Sequence, residues 1–438
     1  MRTEKLVCAV ALTGILIACS AAISTPLATA EPLTEAAAAD FYIPPVPLPN
    51  GGPGDIIRTE SAQLALSAPG QPGIIPAMST RVMYLSSDAN DAPTAVVGTY
   101  LQPTQPWTGP GERPLVAYAG GTKGQGEQCA PSKLLSQLVE YQPPVDAIFE
   151  YDLIALYSLL SRGMAVVITD YHGLGTPDTH DYLNRKAQGY AVLDSARAAT
   201  RLPGTGLSAR TPVVLYGYSQ GGMASAAAAE LQPKYASDLN VRAAYVGGPV
   251  VDDEYFIGYN DGRPDVAPAI AWILNGITAD YPDTRPVLDA ELNDTGKAIL
   301  RESADKCAGL FGLFERYQNT AQWTTSGQPL TAVIDGSPVL KAAFDEQRLG
   351  TRTPAVPVLI SSARNDDGTP YPAIRGMAAG WCGGGASVQL NSNAELPAIS
   401  GLVDTHVLAF FPSLATSQQW MTDRLAGLPA PVNCGALP

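Results

Sequence analysis

The residues best placed to do chemistry surround Ser219, in the segment 217–221, which reads G-Y-S-Q-G. The apolar run at 213–215 before it is typical of a buried parallel strand, and the alanine-rich run at 223–230 after it favours a helix. Strand, tight turn and helix form the context that a G-x-S-x-G motif requires, because the turn lifts the serine hydroxyl above the sheet edge. Ser219 is therefore a candidate nucleophile, with a Gly-rich loop as the alternative interpretation.

A serine hydroxyl needs a base within hydrogen-bond reach, and the base needs an acid that orients it. His406 is the only histidine C-terminal to Ser219, in a predicted loop directly before an apolar helix at 407–425. His172 and His180 precede the serine, so we expect them to be structural or to line a pocket. His406 is the predicted base.

The acid is expected after the strand predicted at 355–361, where Asp366 and Asp367 are adjacent. Asp366 is the first choice and Asp367 the second. Asp404 is a third option, but it would have to share one loop with the histidine two residues later. The order Ser, Asp, His is that of α/β-hydrolases.

A glycine-rich loop at 120–126 follows a strand predicted at 114–119. Four glycines in seven residues allow backbone amides to point inward. A plain flexible connection is one alternative, and a phosphate-binding loop is a weaker one because no G-K-[ST] follows. The position of the loop favours half of an oxyanion hole, with the amide of Gly121 or Thr122 as donor.

The order of apolar runs predicts an α/β protein, with a mostly parallel central sheet flanked by helices and a helical cap or lid inserted in it. An antiparallel strand pair is expected at 79–84 and 95–101. Further strands are expected at 164–170 and 241–247, and helices at 152–162, 189–202, 267–277, 287–301 and 307–317. The predicted divisions are a signal peptide at 1–30, a Pro/Gly-rich leader at 31–78, a core in two parts at 79–248 and 346–438, and the cap at 249–345.

The N-terminus has the pattern of a targeting segment. Arg2 and Lys5 precede an apolar region at 6–17 that is too short to span a bilayer. The A-T-A sequence before Glu31 predicts cleavage and free secretion, without a transmembrane helix in the mature chain. The alternative is a lipobox ending at Cys19, which would anchor a lipoprotein to a membrane.

Composition narrows the possible classes of function. A net charge of −14 and a pI of about 4.6 argue against nucleic-acid binding, which needs a basic surface. Four of the six cysteines follow the signal peptide, and in an exported protein they suggest two disulfides with three possible pairings. They are Cys129, Cys307, Cys382 and Cys434. Their wide spacing and the presence of only three histidines argue against a metal site, and no cofactor is expected.

Several motifs together resemble a known family. They read G-T-K-G-Q-G-E-Q-C-A-P-S at 121–132, D-Y-H-G-L-G-T-P at 170–177, G-Y-S-Q-G-G at the elbow, G-W-C at 380–382 and P-A-P-V-N-C before the C-terminus. In these motifs the chain resembles the secretory lipases of fungi and actinobacteria, which are the lipase A type of α/β-hydrolase. The resemblance covers roughly residues 40–434.

The resemblance implies a triad of Ser219, Asp366 and His406, with the Gln220 amide as the second oxyanion donor. It also implies the pairings Cys129–Cys307 and Cys382–Cys434. The chain departs from the family pattern at residues 363–364, and in having Thr405 rather than an aspartate before the histidine.

The expected function is therefore hydrolysis of lipid carboxylic esters such as triacylglycerols, at a lipid–water interface, through an acyl-enzyme. A cell-envelope acyltransferase with the same triad is the alternative, since a sugar or lipid alcohol could replace water. A non-catalytic binding protein on this scaffold is a third hypothesis, but it would need a broken triad.

Overall fold

A computed structural model of the chain describes residues 41–67, 73–143, 146–263, 265–309, 319–392 and 404–438. The predicted signal peptide and Cys19 lie outside these residues, as does most of the helix expected at 307–317. The described part from Phe41 onward belongs to one compact unit.

Nine of the eleven described strands form a mixed sheet at the centre of this unit. In chain order the strands are β1 (Ile56–Ala62), β2 (Ala77–Ser87), β3 (Pro93–Pro103), β4 (Leu115–Ala119), β5 (Val139–Gln142), β6 (Asp146–Phe149), β7 (Ala165–Thr169), β8 (Val213–Tyr218), β9 (Val241–Gly247), β10 (Val358–Ser362) and β11 (Val388–Ser392). The order across the sheet is β1-β2-β3-β7-β4-β8-β9-β10-β11, and within the described residues β5 and β6 form a separate two-stranded sheet. From β7 to β11 the neighbours are parallel, whereas β1, β2 and β3 are antiparallel.

The central strands are buried on both faces, which explains their continuous apolar sequences. Every residue of β4, β7 and β8 is buried. Neighbouring residues on a strand point to opposite faces, so Leu215 and Val214 of β8 belong to two different core clusters. Each face of the sheet must therefore be covered by other secondary-structure elements.

Helices form those covering layers. In chain order the described ones are α1 (Pro131–Gln137), α2 (Leu153–Ser161), α3 (Arg185–Arg201), α4 (Gln220–Tyr235), α5 (Asp253–Asn260), α6 (Ala267–Asp280), α7 (Arg285–Glu291), α8 (Asp294–Ser303), α9 (Leu330–Gly336), α10 (Pro338–Gln347), α11 (Tyr371–Gly383) and α12 (Asp404–Leu425). Residues of α3 and α4 pack into the core cluster on one face, and residues of α2 and α12 into the cluster on the other. The helices α5 to α10 all lie between β9 and β10 in sequence.

Away from the segment that carries His406, three local predictions differ from the structure. Strand β1 lies inside the segment expected to be a leader, because an edge strand with alternating half-exposed residues lacks the apolar run that marks a buried strand. Helix α3 starts four residues before the predicted position 189, and nearly all of its residues are buried. The helix expected at 287–301 is two helices, since Asn293 caps the start of α8 by accepting from the amide of Gly296.

The structure contains both disulfides that the resemblance implied, Cys129–Cys307 and Cys382–Cys434. The first joins the segment after the glycine-rich loop to the region between β9 and β10. Among the described helices, none is both long enough and apolar enough to cross a lipid bilayer.

Candidate active site

The turn between β8 and α4 holds Ser219 in a strained conformation. Its φ is 60° and its ψ is −122°, a region that L-residues rarely adopt. A Cβ on Gly221 would lie 2.0 Å from the carbonyl oxygen of Ala119, and one on Gly217 would lie 2.1 Å from that of Gly221. Both glycines of the motif are therefore required by close backbone contacts, as expected of a nucleophile elbow.

His406 reaches this turn from α12. Its Nε2 lies 2.9 Å from Ser219 Oγ. The histidine sits in the first turn of the helix rather than in a loop before it, so the predicted helix start at 407 is corrected to Asp404. The Tyr218 hydroxyl donates to the carbonyl oxygen of His406 at 2.7 Å, which ties the helix start to the end of β8.

Asp366 faces the other nitrogen of the imidazole. His406 Nδ1 lies 2.9 Å from Asp366 Oδ2 and 3.1 Å from Oδ1. The same carboxylate accepts from the amides of Gly368 and Thr369 at 2.9 and 2.7 Å. Because the aspartate is buried, these amides both satisfy it and hold it in position.

The other two carboxylates considered for this role do not face the imidazole. Asp367 Oδ1 accepts from the backbone amide of His406 at 3.0 Å, so it fixes the main chain and not the ring. Asp404 is the first residue of α12, and among the described residues the hydrogen-bond partners of the imidazole are Ser219, Asp366 and Thr369.

Two opposing effects act on the pKa of the His406 imidazole. Burial by itself would lower the pKa of His406, but the Asp366 carboxylate outweighs it, and the pKa is raised above its ordinary value. A raised pKa favours proton uptake by Nε2, which is the step that a general base must perform.

A buried network of ion pairs and hydrogen bonds holds the glycine-rich loop in place. Lys123 Nζ lies 2.8 Å from Glu150 Oε1 and 3.0 Å from Asp152 Oδ2. Asp152 Oδ2 also accepts from the Gly121 amide at 3.0 Å. The Gly121 N–H therefore already has an acceptor, which argues against its predicted role as an oxyanion donor in this conformation.

The other two predicted oxyanion residues belong to different elements. Thr122 follows Gly121 in the loop, and its Oγ1 lies 3.0 Å from the hydroxyl of Tyr182. Gln220 is the first residue of α4, and the first N–H groups of a helix have no acceptor within it. Sequence reasoning missed Asp152 and Tyr182, because each acts on the loop from tens of residues away and no local motif marks such a partner.

The two remaining histidines do not take part in the hydrogen bonds that join Ser219, His406 and Asp366. His172 Nδ1 is 3.3 Å from Asp181 Oδ2, and its Nε2 is 3.7 Å from Asp178 Oδ2. Burial would lower the pKa of His172, but the bonds to these two carboxylates prevail and raise it to about 10. His180 is fully buried beside Gln220, with its Nε2 3.1 Å from the side-chain nitrogen of Gln220.

One group of possible metal ligands occurs among the described residues. His172, Asp181 and Asp280 bring ligand atoms within 4.8 Å of one another. Within the protein, His172 Nδ1 is paired with Asp181, and Asp280 accepts from the side chain of Asn184. An ion pair and a hydrogen bond therefore account for the position of these three side chains.

A mostly parallel sheet with a serine at a strand–helix turn, and an aspartate and a histidine brought to it from later elements, defines an α/β-hydrolase. The model of the family described as "Secretory lipase" matches residues 144–433. The chain belongs to the secretory lipase family. Lipases are carboxylic-ester hydrolases, so the family also sets the class of reaction.

Known relatives span nearly the whole chain. "Lipase A" of Arthroderma benhamiae is 27% identical over 399 residues, which cover 90% of this chain and 80% of the relative. A relative from Mycobacterium tuberculosis is named "Probable inactive lipase MT1628". It is 28% identical over 399 residues, which cover 89% of this chain and 82% of the relative. The crystal structure of Candida antarctica lipase A matches with a TM-score of 0.71 at 20% identity, covering 89% of this chain and 85% of that one. That likeness shows the fold.

Proposed function

We propose that this chain is an exported serine hydrolase that cleaves carboxylic esters of lipids through an acyl-enzyme. Ser219 is the nucleophile, His406 the base and Asp366 the orienting acid. The observation that carries the proposal is a continuous hydrogen-bond path, with 2.9 Å from Ser219 Oγ to His406 Nε2 and 2.9 Å from His406 Nδ1 to Asp366 Oδ2. Since one relative is named as inactive, the proposal rests on this geometry and not on the family alone.

In the acylation step, Ser219 Oγ bonds to the ester carbonyl carbon while its proton passes to His406 Nε2. The amides of Gln220 and Thr122 donate to the oxyanion. The carbon–oxygen bond to the alcohol then breaks, and the proton on Nε2 leaves with the alcohol. In the second half, water attacks the acyl carbon while it gives a proton to Nε2. The bond between the acyl carbon and Ser219 Oγ then breaks, and the proton on Nε2 passes to Oγ, which frees the acid and the Ser219 hydroxyl.

Lipid esters are the proposed substrates, met at a lipid–water interface. The family match and the names of relatives, among them "Secreted triacylglycerol lipase LIP7" of Malassezia globosa, support this choice. We assign residues 249–345, which contain helices α5 to α10, the role of a cap over the site. The two disulfides agree with an exported protein, because such bonds persist in oxidising compartments.

A fluorescent alkyl phosphonate and a series of p-nitrophenyl esters, with emulsified triolein beside them, test the proposal. We expect one phosphonate label, on the peptide that carries Ser219. The variant Ser219→Ala should lose both the label and the turnover of esters. Hydrolysis of triolein would support a lipase, whereas turnover confined to short soluble esters would reduce the assignment to an esterase.

A label on another serine, or full turnover in Ser219→Ala, would contradict the triad. Product analysis with glycerol as acceptor separates hydrolysis from acyl transfer. If most of the acyl group appears on glycerol at low acceptor concentration, the alternative of a cell-envelope acyltransferase replaces the hydrolase.

A further inference from the structure

We infer that His180 is a positioning residue that fixes Gln220, and that the segment 180–182 is a brace between the two halves of the oxyanion hole. This inference rests on the proposed function, since it concerns the placement of the Gln220 and Thr122 donors. His180 itself contacts neither the serine nor the histidine of the triad in the described structure.

The contacts of His180 define its tautomer. His180 Nδ1 lies 2.9 Å from the carbonyl oxygen of His172, and a carbonyl can only accept, so Nδ1 carries a proton. Burial lowers the pKa of His180, which keeps the ring neutral. Its Nε2 is then a bare acceptor, and it accepts from the side-chain amide of Gln220 at 3.1 Å.

This bond holds the residue that follows the nucleophile. Gln220 begins α4, and both its side chain and that of His180 are buried, so water does not replace the contact. Tyr171 stacks against the imidazole at 6.0 Å between ring centroids, and Tyr182 meets it edge-on at 6.1 Å. The histidine therefore has a fixed orientation from which to hold Gln220.

The same short segment is bonded to the glycine-rich loop. The Tyr182 hydroxyl lies 3.0 Å from Thr122 Oγ1. The side-chain amide of Gln125 donates to the carbonyl oxygen of His180 at 2.9 Å. Between them, Asp181 pairs with His172 and anchors the segment to the core.

A brace is needed because the two donors belong to separate elements. One is at the start of α4 and the other is in the loop after β4, so no single turn of chain sets the gap between them. A misplacement of about 1 Å at a reacting centre can cost about 100-fold in rate. Bonds from residues 180 and 182 to both sides fix this gap.

Two substitutions at His180 separate positioning from packing. His180→Gln places an amide oxygen near the position of Nε2 and can still accept from Gln220, whereas His180→Asn keeps a donor near Nδ1 and loses the acceptor. We expect kcat to fall about 10- to 100-fold in His180→Asn with little change in KM. His180→Gln should restore turnover to within about threefold of the wild type.

A double-mutant cycle with Gln220→Leu tests the specific bond. Gln220→Leu keeps the backbone donor and removes the side-chain amide, so we expect a fall in kcat like that of His180→Asn. The double variant should be no slower than either single variant, since both remove one interaction. A trifluoromethyl ketone, which forms an oxyanion on Ser219, should bind more weakly by the same factor.

Tyr182→Phe provides a second variant that does not depend on the folding of the His180 variants. It removes the hydroxyl next to Thr122 and should lower kcat at unchanged KM. Equal kcat in His180→Asn and His180→Gln, additive losses in the cycle, or no effect of Tyr182→Phe would each overturn the brace. A wild-type protein that is neither labelled at Ser219 nor active on esters would instead overturn the proposed function.

Discussion

At the scale of single residues, the chemistry depends on which of two adjacent carboxylates faces the imidazole. Asp366 accepts from two backbone amides and contacts Nδ1, whereas Asp367 accepts from the main-chain amide of His406. Adjacent aspartates after one strand thus have different tasks, one electrostatic and one structural. Their variants should differ accordingly.

Asp366→Asn should lower kcat by about 10⁴-fold, because the orienting acid and the correct tautomer are lost together. Without the carboxylate, the pKa of His406 should fall, since Asp366 is what raises it against burial. The acidic limb of the kcat/KM profile should therefore move to lower pH, which a pH–rate series on a soluble ester would detect.

Asp367→Asn is the matched control. It keeps an oxygen that can accept from the His406 amide, so we expect turnover within about tenfold of the wild type and a far smaller shift of the acidic limb. The reverse ranking of the two variants would assign the triad acid to Asp367.

Asp280 provides a prediction about stability. Burial, followed by the nearby Asp181 carboxylate, raises the pKa of Asp280 to about 8. The folded state then holds a proton that the unfolded state has released, so the free energy of unfolding should decrease as pH rises from about 4 to about 8. Asp280 alone should contribute up to about 1 kcal/mol per pH unit to this slope.

Chemical denaturation at pH 5 and pH 6.5 measures this slope. Other groups also change protonation on unfolding in this window, among them Glu150 and Asp170, whose pKa values burial raises to about 7. The contribution of Asp280 is therefore the difference in slope between the wild type and Asp280→Asn. Asp280→Asn keeps an oxygen for Asn184, whose side chain donates to Asp280 at 2.8 Å, and should flatten the slope. An unchanged slope would refute the assignment.

At the scale of elements, the strand–turn–helix unit positions Ser219, the proposed nucleophile, by close backbone packing. Ser219 can hold its strained φ because Gly221 passes directly over the end of β4. The Ser219 amide also donates to the carbonyl oxygen of Gly247 at the end of β9, at 2.9 Å. Three neighbouring strands thus share in fixing one turn.

Gly221→Ala should disrupt this unit, because its Cβ would lie 2.0 Å from the Ala119 carbonyl oxygen, a backbone atom that cannot move away cheaply. We expect a loss of several kcal/mol in stability, or failure to fold, together with loss of turnover. Thermal melting and ester assays would report both.

Gly376→Ala in α11 is the control, because an added Cβ there meets no atom within 4 Å. Alanine in a helix interior is favoured over glycine by about 0.5–1 kcal/mol, so this variant should melt slightly higher and keep full activity. If both glycine variants behaved alike, the packing argument for the elbow would fail.

At the scale of the whole molecule, the two disulfides close loops of different length and position. Cys129–Cys307 spans 178 residues and Cys382–Cys434 spans 52. Beside the first, the Ala308 amide donates to the Lys123 carbonyl oxygen at 2.8 Å, so it lies against the glycine-rich loop. The second ties the C-terminal segment to α11.

Replacing either pair by serines should cost about 2–5 kcal/mol of stability. Only the Cys129/Cys307 variant should also lower kcat, because only that bridge supports the loop that carries Thr122. Denaturation and ester kinetics on both variants decide the point. An equal fall in kcat in both would indicate a general loss of order rather than a local one.

The sequence by itself predicted a nucleophile and a base, and it determined the general architecture. Strong local signals did this: an apolar run, a motif with two glycines, and one histidine on the required side of Ser219. Such signals are short-range, because burial on both faces of a strand and close packing at a turn restrict neighbouring residue types directly. The α/β class followed from the same runs.

Only the tertiary structure decided which groups meet across long stretches of chain. Sequence analysis ranked Asp366 above Asp367, but it did not predict the separate contact that each carboxylate makes. The capture of the Gly121 amide by Asp152 and the bond between His180 and Gln220 likewise have no local signature. The start of α12 at Asp404 and the edge strand β1 also depended on partners elsewhere in the fold. Each of these depends on side-chain direction and hydrogen-bond competition in the packed molecule, which residue order does not encode locally.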